Sequence, residues 1–317
     1  MGKILVTGAA GQIGTELVER LCSRYGRENI IATDLKFPHV PECEHGQMDV
    51  TSRDSVDEFF REHSIDSVYH LAAVLSARGE ENPGRAFDVN ANGTKNVLDA
   101  SLRSGVKRVL IPSTIGVFGP QTPKRKVPVE TVTRPVTMYG ITKIFCELLG
   151  EYYFRKYRLD VRGLRLPGII SYKSPPGGGT TDYSIEMIVS AVKGKSYTCF
   201  LRSDTRLPMM YIPDAIESII KLSEADGGKL IHRTDFNVSA FDFTPGELET
   251  ELRKYFSGFS VEYRPDERQK IAETWPSTLD CRAAVDEWGF SPRFDMSRMV
   301  EDMVRNLSDQ SSPAGKR

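Results

Sequence analysis

Thr7-Gly8-Ala9-Ala10-Gly11-Gln12-Ile13-Gly14 is the stretch that decides the fold. It follows Lys3-Ile4-Leu5-Val6, a short apolar run that reads as a strand, and it opens a helix over 12–22 with Ile13, Leu17, Val18 and Leu21 on one face. Gly8 permits a tight turn, Gly11 lets the backbone approach a pyrophosphate, and Gly14 lets the helix pack on the sheet. With Gln12 and Ile13, they direct free N–H groups and the positive end of the helix dipole toward phosphate.

Outward from this loop, strands and helices alternate. Ile30-Ile31-Ala32-Thr33, a run within 66–73, Arg108-Val109-Leu110-Ile111-Pro112 and the run 161–166 read as strands. Helical patterns occur around Val56, Phe59 and Phe60, over 87–102, and over Met138–Tyr157. This βαβ alternation predicts an α/β fold: a Rossmann-type, doubly wound parallel sheet covered on both faces. After Pro167 the texture changes. Pro175-Pro176-Gly177-Gly178-Gly179 reads as a loop, and helical patterns return at Tyr183–Val192, 214–222 and 244–255. The expected organisation is a dinucleotide-binding domain at 1–167 and a smaller, discontinuous substrate-binding domain at 168–307, with segments returning to the sheet. A polar tail at 308–317 is expected to be disordered.

Composition removes whole classes of function. The 317 residues are 39% hydrophobic and carry 42 basic against 43 acidic side chains, a net charge of -1. That balance makes no basic field for nucleic acid or an anionic membrane. No apolar run approaches the roughly 20 residues of a membrane span. The five cysteines form no CxxC pair, and the five histidines include no HExxH. His39, Cys43 and His45 read as a loop after the second strand, so no metal is expected. The chain opens directly into a strand with no signal segment, which makes the cytoplasm the expected location.

Asp34 ends the second strand, 20 residues after Gly14. A carboxylate there accepts both ribose hydroxyls of an adenosine and repels a 2′-phosphate, which favours NAD over NADP despite the nearby Lys36. Asp49-Val50 reads either as an adenine contact or as a simple strand-end turn.

Tyr139 and Lys143 stand at i and i+4, one above the other on a helix. A phenol near its ordinary pKa of about 10 is a poor base. A neighbouring ammonium and a cationic nicotinamide should lower that value, so that Tyr139 takes a proton from an alcohol while hydride leaves the same carbon. Ser113-Thr114 follow a strand directly, at the sheet edge where parallel folds place ligands. The small strand end Leu71-Ala72-Ala73 fits beneath a cofactor, and Asn90 can pin backbone with its amide.

Together these residues resemble the extended short-chain dehydrogenase/reductase superfamily over roughly the first half of the chain. The resemblance implies an NAD-binding Rossmann fold with Thr114, Tyr139 and Lys143 as the catalytic group and Leu166 among the cofactor's neighbours. It also implies a homodimer in which helices near 86–103 and 138–157 form a four-helix bundle. Phe118 departs from the tyrosine common in the family's VYG step.

The second half is similar to the short-chain, metal-free L-threonine 3-dehydrogenases. The resemblance rests on Gly177-Gly178-Gly179-Thr180-Thr181-Asp182-Tyr183, Lys195-Ser196-Tyr197-Thr198-Cys199-Phe200, Thr205-Arg206-Leu207-Pro208-Met209-Met210-Tyr211 and Thr274-Trp275-Pro276. It implies oxidation of L-threonine at its β-carbon by NAD, giving 2-amino-3-ketobutyrate. It places Ser76, Ser113, Thr114 and Tyr139 on the hydroxyl side and amino-acid head, with Gly179, Thr180 and Thr181 toward the carboxylate and Trp275 closing the pocket. Read without the resemblance, the glycine loop also fits a surface hinge, Trp275 core packing, and Arg206 a structural ion pair. The rival within the superfamily is a nucleotide-sugar 4-epimerase. That reaction needs a larger, more basic pocket, for which the 167–213 stretch offers Arg202 and Arg206. A non-catalytic NAD sensor is disfavoured because both Tyr139 and Lys143 are present.

Overall fold

The computed structural model describes residues 2–37, 39–173 and 177–311. Its first strands are β1 (Lys3–Thr7), β2 (Ile30–Asp34), β3 (Glu44–Gln47), β4 (Ile65–His70), β5 (Arg108–Leu110), β6 (Ser113–Thr114), β7 (Asp160–Arg162), β8 (Leu164–Leu166) and β9 (Gly168–Ile170). Between them lie helices α1 (Gln12–Tyr25), α2 (Arg53–Glu62), α3 (Ser76–Glu81), α4 (Pro83–Phe87), α5 (Gly93–Arg103) and α6 (Met138–Tyr157). Six strands pair in parallel in the order β3-β2-β1-β4-β5-β7. The chain thus starts in the middle, winds outward one way, and returns to wind the other. The fold is α/β and doubly wound, with its switch point between β1 and β4.

Alternation along β1 shows why both faces are covered. Ile4 and Val6 join a core with Leu17 and Leu21 of α1, whereas Leu5 joins a second core with Val56, Phe59, Val97 and Leu98. Successive strand side chains point to opposite faces, so a strand clad on both sides buries consecutive residues, as β1 does from Ile4 to Thr7. The edge strand β3 stays largely exposed. Smaller sheets extend this body. β8 pairs with β6 and with Phe236–Asn237, and Leu207–Tyr211 pairs with β9 and Phe241–Phe243.

Four local expectations change. The 161–166 run is two strands in two sheets, broken at Gly163. A β-carbon there would lie 2.6 Å from the Ile111 carbonyl oxygen and 2.7 Å from that of Thr234, so the backbones cross too closely for any side chain. The helix expected over 87–102 is interrupted by a wide π turn at Asp88–Asn92, between α4 and α5. The segment after β2, read as a loop, contains β3, and His45 lies in that strand. Finally, the helix Met296–Ser311 carries 308–311, the start of the expected tail, because Met299, Val300 and Met303 bury one face. The rest of that tail, and Pro175-Pro176, lie outside the described residues.

Candidate active site

The glycine loop is shaped by contacts that admit no side chain. Gly8 has φ +66°, and a β-carbon on it would sit 2.6 Å from the Ala72 nitrogen. One on Gly14 would fall 2.2 Å from the Gly8 carbonyl oxygen. The loop therefore folds back against the first turn of α1, whose N-cap is Gly11 with no side chain capping it. The first N–H groups of the helix are left for a ligand. Gln12 spans to the other half, donating from Nε2 to Ser171 Oγ at 2.9 Å and to the Ile169 carbonyl at 3.3 Å.

Asp34 is fixed against this loop. Its Oδ2 accepts from the Ala10 N–H at 3.0 Å and its Oδ1 from the Leu35 N–H at 2.7 Å. Asp49 instead turns back on its own chain, accepting from the N–H and hydroxyl of Thr51 at 2.9 and 2.7 Å. The adjacent Val50 is buried and meets Gly93. Asn90 sits in the π turn. Its amide brackets Val74, accepting from the N–H at 2.8 Å and donating to the carbonyl at 3.0 Å. This pinning sets the course of the chain after β4.

A cavity of about 400 Å³ joins the halves. Gly8, Gly11, Gln12, Ile13, Gly14, Leu71, Ala73 and Leu166 line one part, and Ser76, Ser113, Thr114, Tyr139, Lys143, Gly179, Thr180, Thr181 and Trp275 line the rest. Asp34, Asp49, Val50, Ala72 and Asn90 are not among its lining residues. Sequence reasoning did not single out Val74, Leu75, Arg78, Pro112, Ile115, Pro167, Gly168, Ile169 or Asp182 as site residues, yet all line the cavity. Of these, Pro112, Ile115 and Pro167 follow closely on the carboxyl ends of β5, β6 and β8, a position that could have marked them.

The catalytic candidates lie within this wall. Thr137 caps α6, its hydroxyl accepting from the Gly140 N–H at 3.1 Å, and so places Tyr139 in the first turn. Lys143 Nζ donates to the Pro112 carbonyl at 2.8 Å and lies 5.9 Å from the Tyr139 ring centroid. Burial pushes the Tyr139 phenol up to about 12, against an opposing hydrogen bond with Thr114. Desolvation outweighs that hydrogen bond, whereas the lowering expected from the sequence also counts the positive charge of a bound nicotinamide. Burial also draws the Lys143 pKa below its ordinary value, against the pull of Cys146 and Glu147. Nearby, burial and then the charge of Lys143 hold His70 neutral, with its pKa at about 3.

Beneath the catalytic row lies a buried ionic layer. Arg165 grips Glu147 with two bonds, Nε to Oε1 at 2.9 Å and Nη2 to Oε2 at 2.8 Å. Ser113 donates its hydroxyl to the same carboxylate, so it braces the strand end rather than offering that proton to the cavity. Phe118, the departure from VYG, packs with its ring centroid 5.3 Å from the Arg165 guanidinium. Such a pair holds its strands in register, and losing one member would strand a buried charge.

Ser76 Oγ and Thr180 Oγ1, both lining the cavity, stand 3.2 Å apart. Asp182 Oδ2 accepts from the Gly178 and Gly179 N–H groups at 2.8 and 2.7 Å. The glycine loop is thus a braced wall of the cavity and not a free surface hinge. Trp275 is 6% exposed, lining the cavity while joining the core, with its carbonyl accepting from Lys124 Nζ at 3.0 Å. Arg206 pairs with Asp242 and Glu247, and Arg202 with Glu273, which fits structural roles. The expected loop cluster holds no ligand set: the His45 Nδ1 faces the Cys43 carbonyl at 3.1 Å. Among the described residues, no group of three or more His, Cys, Asp or Glu could hold a metal ion.

The profile of the NAD dependent epimerase/dehydratase family matches residues 4–239. The chain belongs to this family. An uncharacterized epimerase/dehydratase of Staphylococcus haemolyticus is 42% identical over 315 residues, covering 98% of this chain and 99% of that protein. A monomeric L-threonine 3-dehydrogenase from a metagenome superposes with a TM-score of 0.95 at 44% identity, covering 98% of this chain and 100% of the other. A GalE-like L-threonine dehydrogenase from Cupriavidus necator, in its holo form, gives 0.94 at 43%, covering 96% and 99%. The similarity to short-chain threonine dehydrogenases noted in the sequence thus extends over the whole fold. The family's cofactor is NAD, and the uncapped α1 terminus, the side-chain-free glycine cradle and the anchored Asp34 fit it.

Proposed function

We propose that this chain is an NAD-dependent L-threonine 3-dehydrogenase that converts L-threonine to 2-amino-3-ketobutyrate. The observation that carries the reading is one cavity lined together by Thr114, Tyr139, Lys143, Ser76 and Thr180, within a chain similar over nearly its whole length to threonine dehydrogenases. NAD, when bound, supplies a hydride acceptor and a positive charge beside the phenol. Gly8, Gly11, Gln12, Ile13 and Gly14 would hold its pyrophosphate, Asp34 its adenosine ribose, and Leu71, Ala73 and Leu166 its apolar faces. Asp49 and Val50 would lie toward the adenine, with Ala72 and Asn90 supporting the wall.

Thr114 would orient the β-hydroxyl toward Tyr139, which takes its proton as general base as the carbonyl forms. Lys143, held by Pro112, favours phenolate over phenol. Ser76, Gly179, Thr180 and Thr181 would confine the amino-acid head, with Trp275 closing the space. We assign the protein to the cytoplasm and to threonine catabolism; its described cysteines are all free, as a reducing compartment allows. We also propose a homodimer through α5 and α6, supported by the apolar residues that α6 leaves exposed.

The test is a substrate screen with purified protein and NAD. L-threonine should give NADH, and Tyr139→Phe should abolish turnover while NAD still binds. Turnover of UDP-sugars without any oxidation of L-threonine would replace this reading with the epimerase one.

A further inference from the structure

The cavity wall carries three charged side chains among the described residues: Lys143, Asp182 and Arg78. Two are engaged in holding the protein. Lys143 donates to Pro112, and Asp182 accepts two backbone N–H groups of the glycine loop. Arg78 is different. Among the described residues its guanidinium has neither an ion-pair partner nor a hydrogen bond. Other arginines of the chain, such as Arg206 and Arg268, are tied to carboxylates. A free guanidinium on the wall of a ligand cavity is a cation available to an anion.

Local structure fixes where this cation sits. Arg78 lies in α3, two residues after Ser76, whose hydroxyl meets Thr180. Its stem runs against the glycine loop: a β-carbon on Gly178 would come within 2.9 Å of both Arg78 Cγ and Nε. Gly178 also has φ +87°, a left-handed backbone that suits glycine. The loop therefore gives up a side chain where the arginine passes, and Asp182 braces the same loop through the Gly178 and Gly179 N–H groups. This places Arg78 with the loop assigned to the substrate.

We propose that Arg78 binds the α-carboxylate of the amino-acid substrate and selects a free amino acid over its uncharged analogues. The inference rests on the threonine reading above. A guanidinium presents a planar fork matched to a carboxylate, which a lysine in its place would meet only as a point charge. The serine, threonine and glycine donors around it supply neutral hydrogen bonds. Arg78 adds the charge that separates an amino acid from an amide.

The experiment compares wild type, Arg78→Gln and Arg78→Lys with L-threonine and with L-threoninamide, used as substrate or competitive inhibitor. NAD binding is measured separately. Arg78→Gln should lose about ten- to a hundredfold in kcat/KM for L-threonine, carried by KM, with the amide's constant unchanged. Arg78→Lys should recover part of that loss. Equal losses with both compounds would overturn the assignment, as would weakened NAD binding with an unchanged KM for L-threonine, which would put Arg78 on the cofactor's phosphates. A wild type inactive on L-threonine would overturn the activity reading and, with it, the substrate named here. A wild type that oxidises L-threonine while Arg78→Gln loses nothing selectively would sink the Arg78 assignment alone.

Discussion

Lys143 donates its ammonium to the Pro112 carbonyl 2.8 Å away, tying the helix that carries Tyr139 to the strand end that carries Thr114. Proline has no N–H to spend in a ladder, and its carbonyl, turned to the lysine, becomes the anchor of the catalytic wall. Replacing Lys143 with Met should therefore remove both a charge and a tether. The expected loss in kcat is about a hundredfold or more, by the range for a positioned acid–base partner. Lys143→Arg should restore little, because the fork does not fit a single buried carbonyl. Steady-state kinetics decide it, and a Lys143→Met variant with near wild-type kcat would remove Lys143 from the mechanism.

Asp34 is held by Ala10 and Leu35, so its carboxylate cannot swing away from a phosphate placed there. Asp34→Ser should raise the KM for NAD by about tenfold or more, as loss of a charge-assisted hydrogen bond does. It should lower the KM for NADP by relieving repulsion. Kinetics with both cofactors check this, and an unchanged preference would show that the ribose lies elsewhere.

Glu16 gives a pH signature. Burial pushes its carboxyl up to about 7, against Lys173 and reinforced by Glu19, and one of its oxygens is buried without a hydrogen-bond partner. Tyr172, Tyr211 and Asp302 share its surroundings. Because the folded pKa stands above the unfolded one, the unfolded state loses its proton first. The stability associated with protonated Glu16 is then complete at low pH and lost as pH rises through about 7. Glu16→Gln should raise the melting temperature at pH 8.5 and change it little at pH 4. A thermal shift that is the same at both values would contradict the assignment.

Along α6, Ile141, Phe145, Leu148 and Tyr152 are 44, 39, 66 and 47% exposed. Their i, i+4, i+7, i+11 spacing puts them on one stripe, which suits a second copy of the chain. Sedimentation velocity should find a dimer, and Phe145→Glu with Leu148→Glu should dissociate it while leaving each subunit folded. A wild type that sediments as a monomer, like the metagenomic relative, would end the four-helix proposal.

Local patterns made much of this legible in the sequence. The loop from Thr7 to Gly14 announced both the strand before it and the helix after it, and at Gly14 glycine is demanded by the Gly8 carbonyl only six residues earlier. Met138–Tyr157 and Tyr183–Val192 were readable for the same reason: apolar periodicity is a property of neighbouring residues. The break at Gly163 was not, because what forbids a side chain there is the carbonyls of Ile111 and Thr234, far away in the chain.

The chemistry divides along the same line. Sequence alone determined which groups are present: a phosphate loop, an acid at the end of β2, and a Tyr–Lys pair one helical turn apart. Only the tertiary structure decided their states and allegiances. It turned the Ser113 hydroxyl onto Glu147, raised the Tyr139 phenol by burial, and left Arg78 as the cavity's guanidinium with no partner among the described residues. Residue type and spacing are written along the chain, but burial and pairing depend on what folds over a residue from elsewhere.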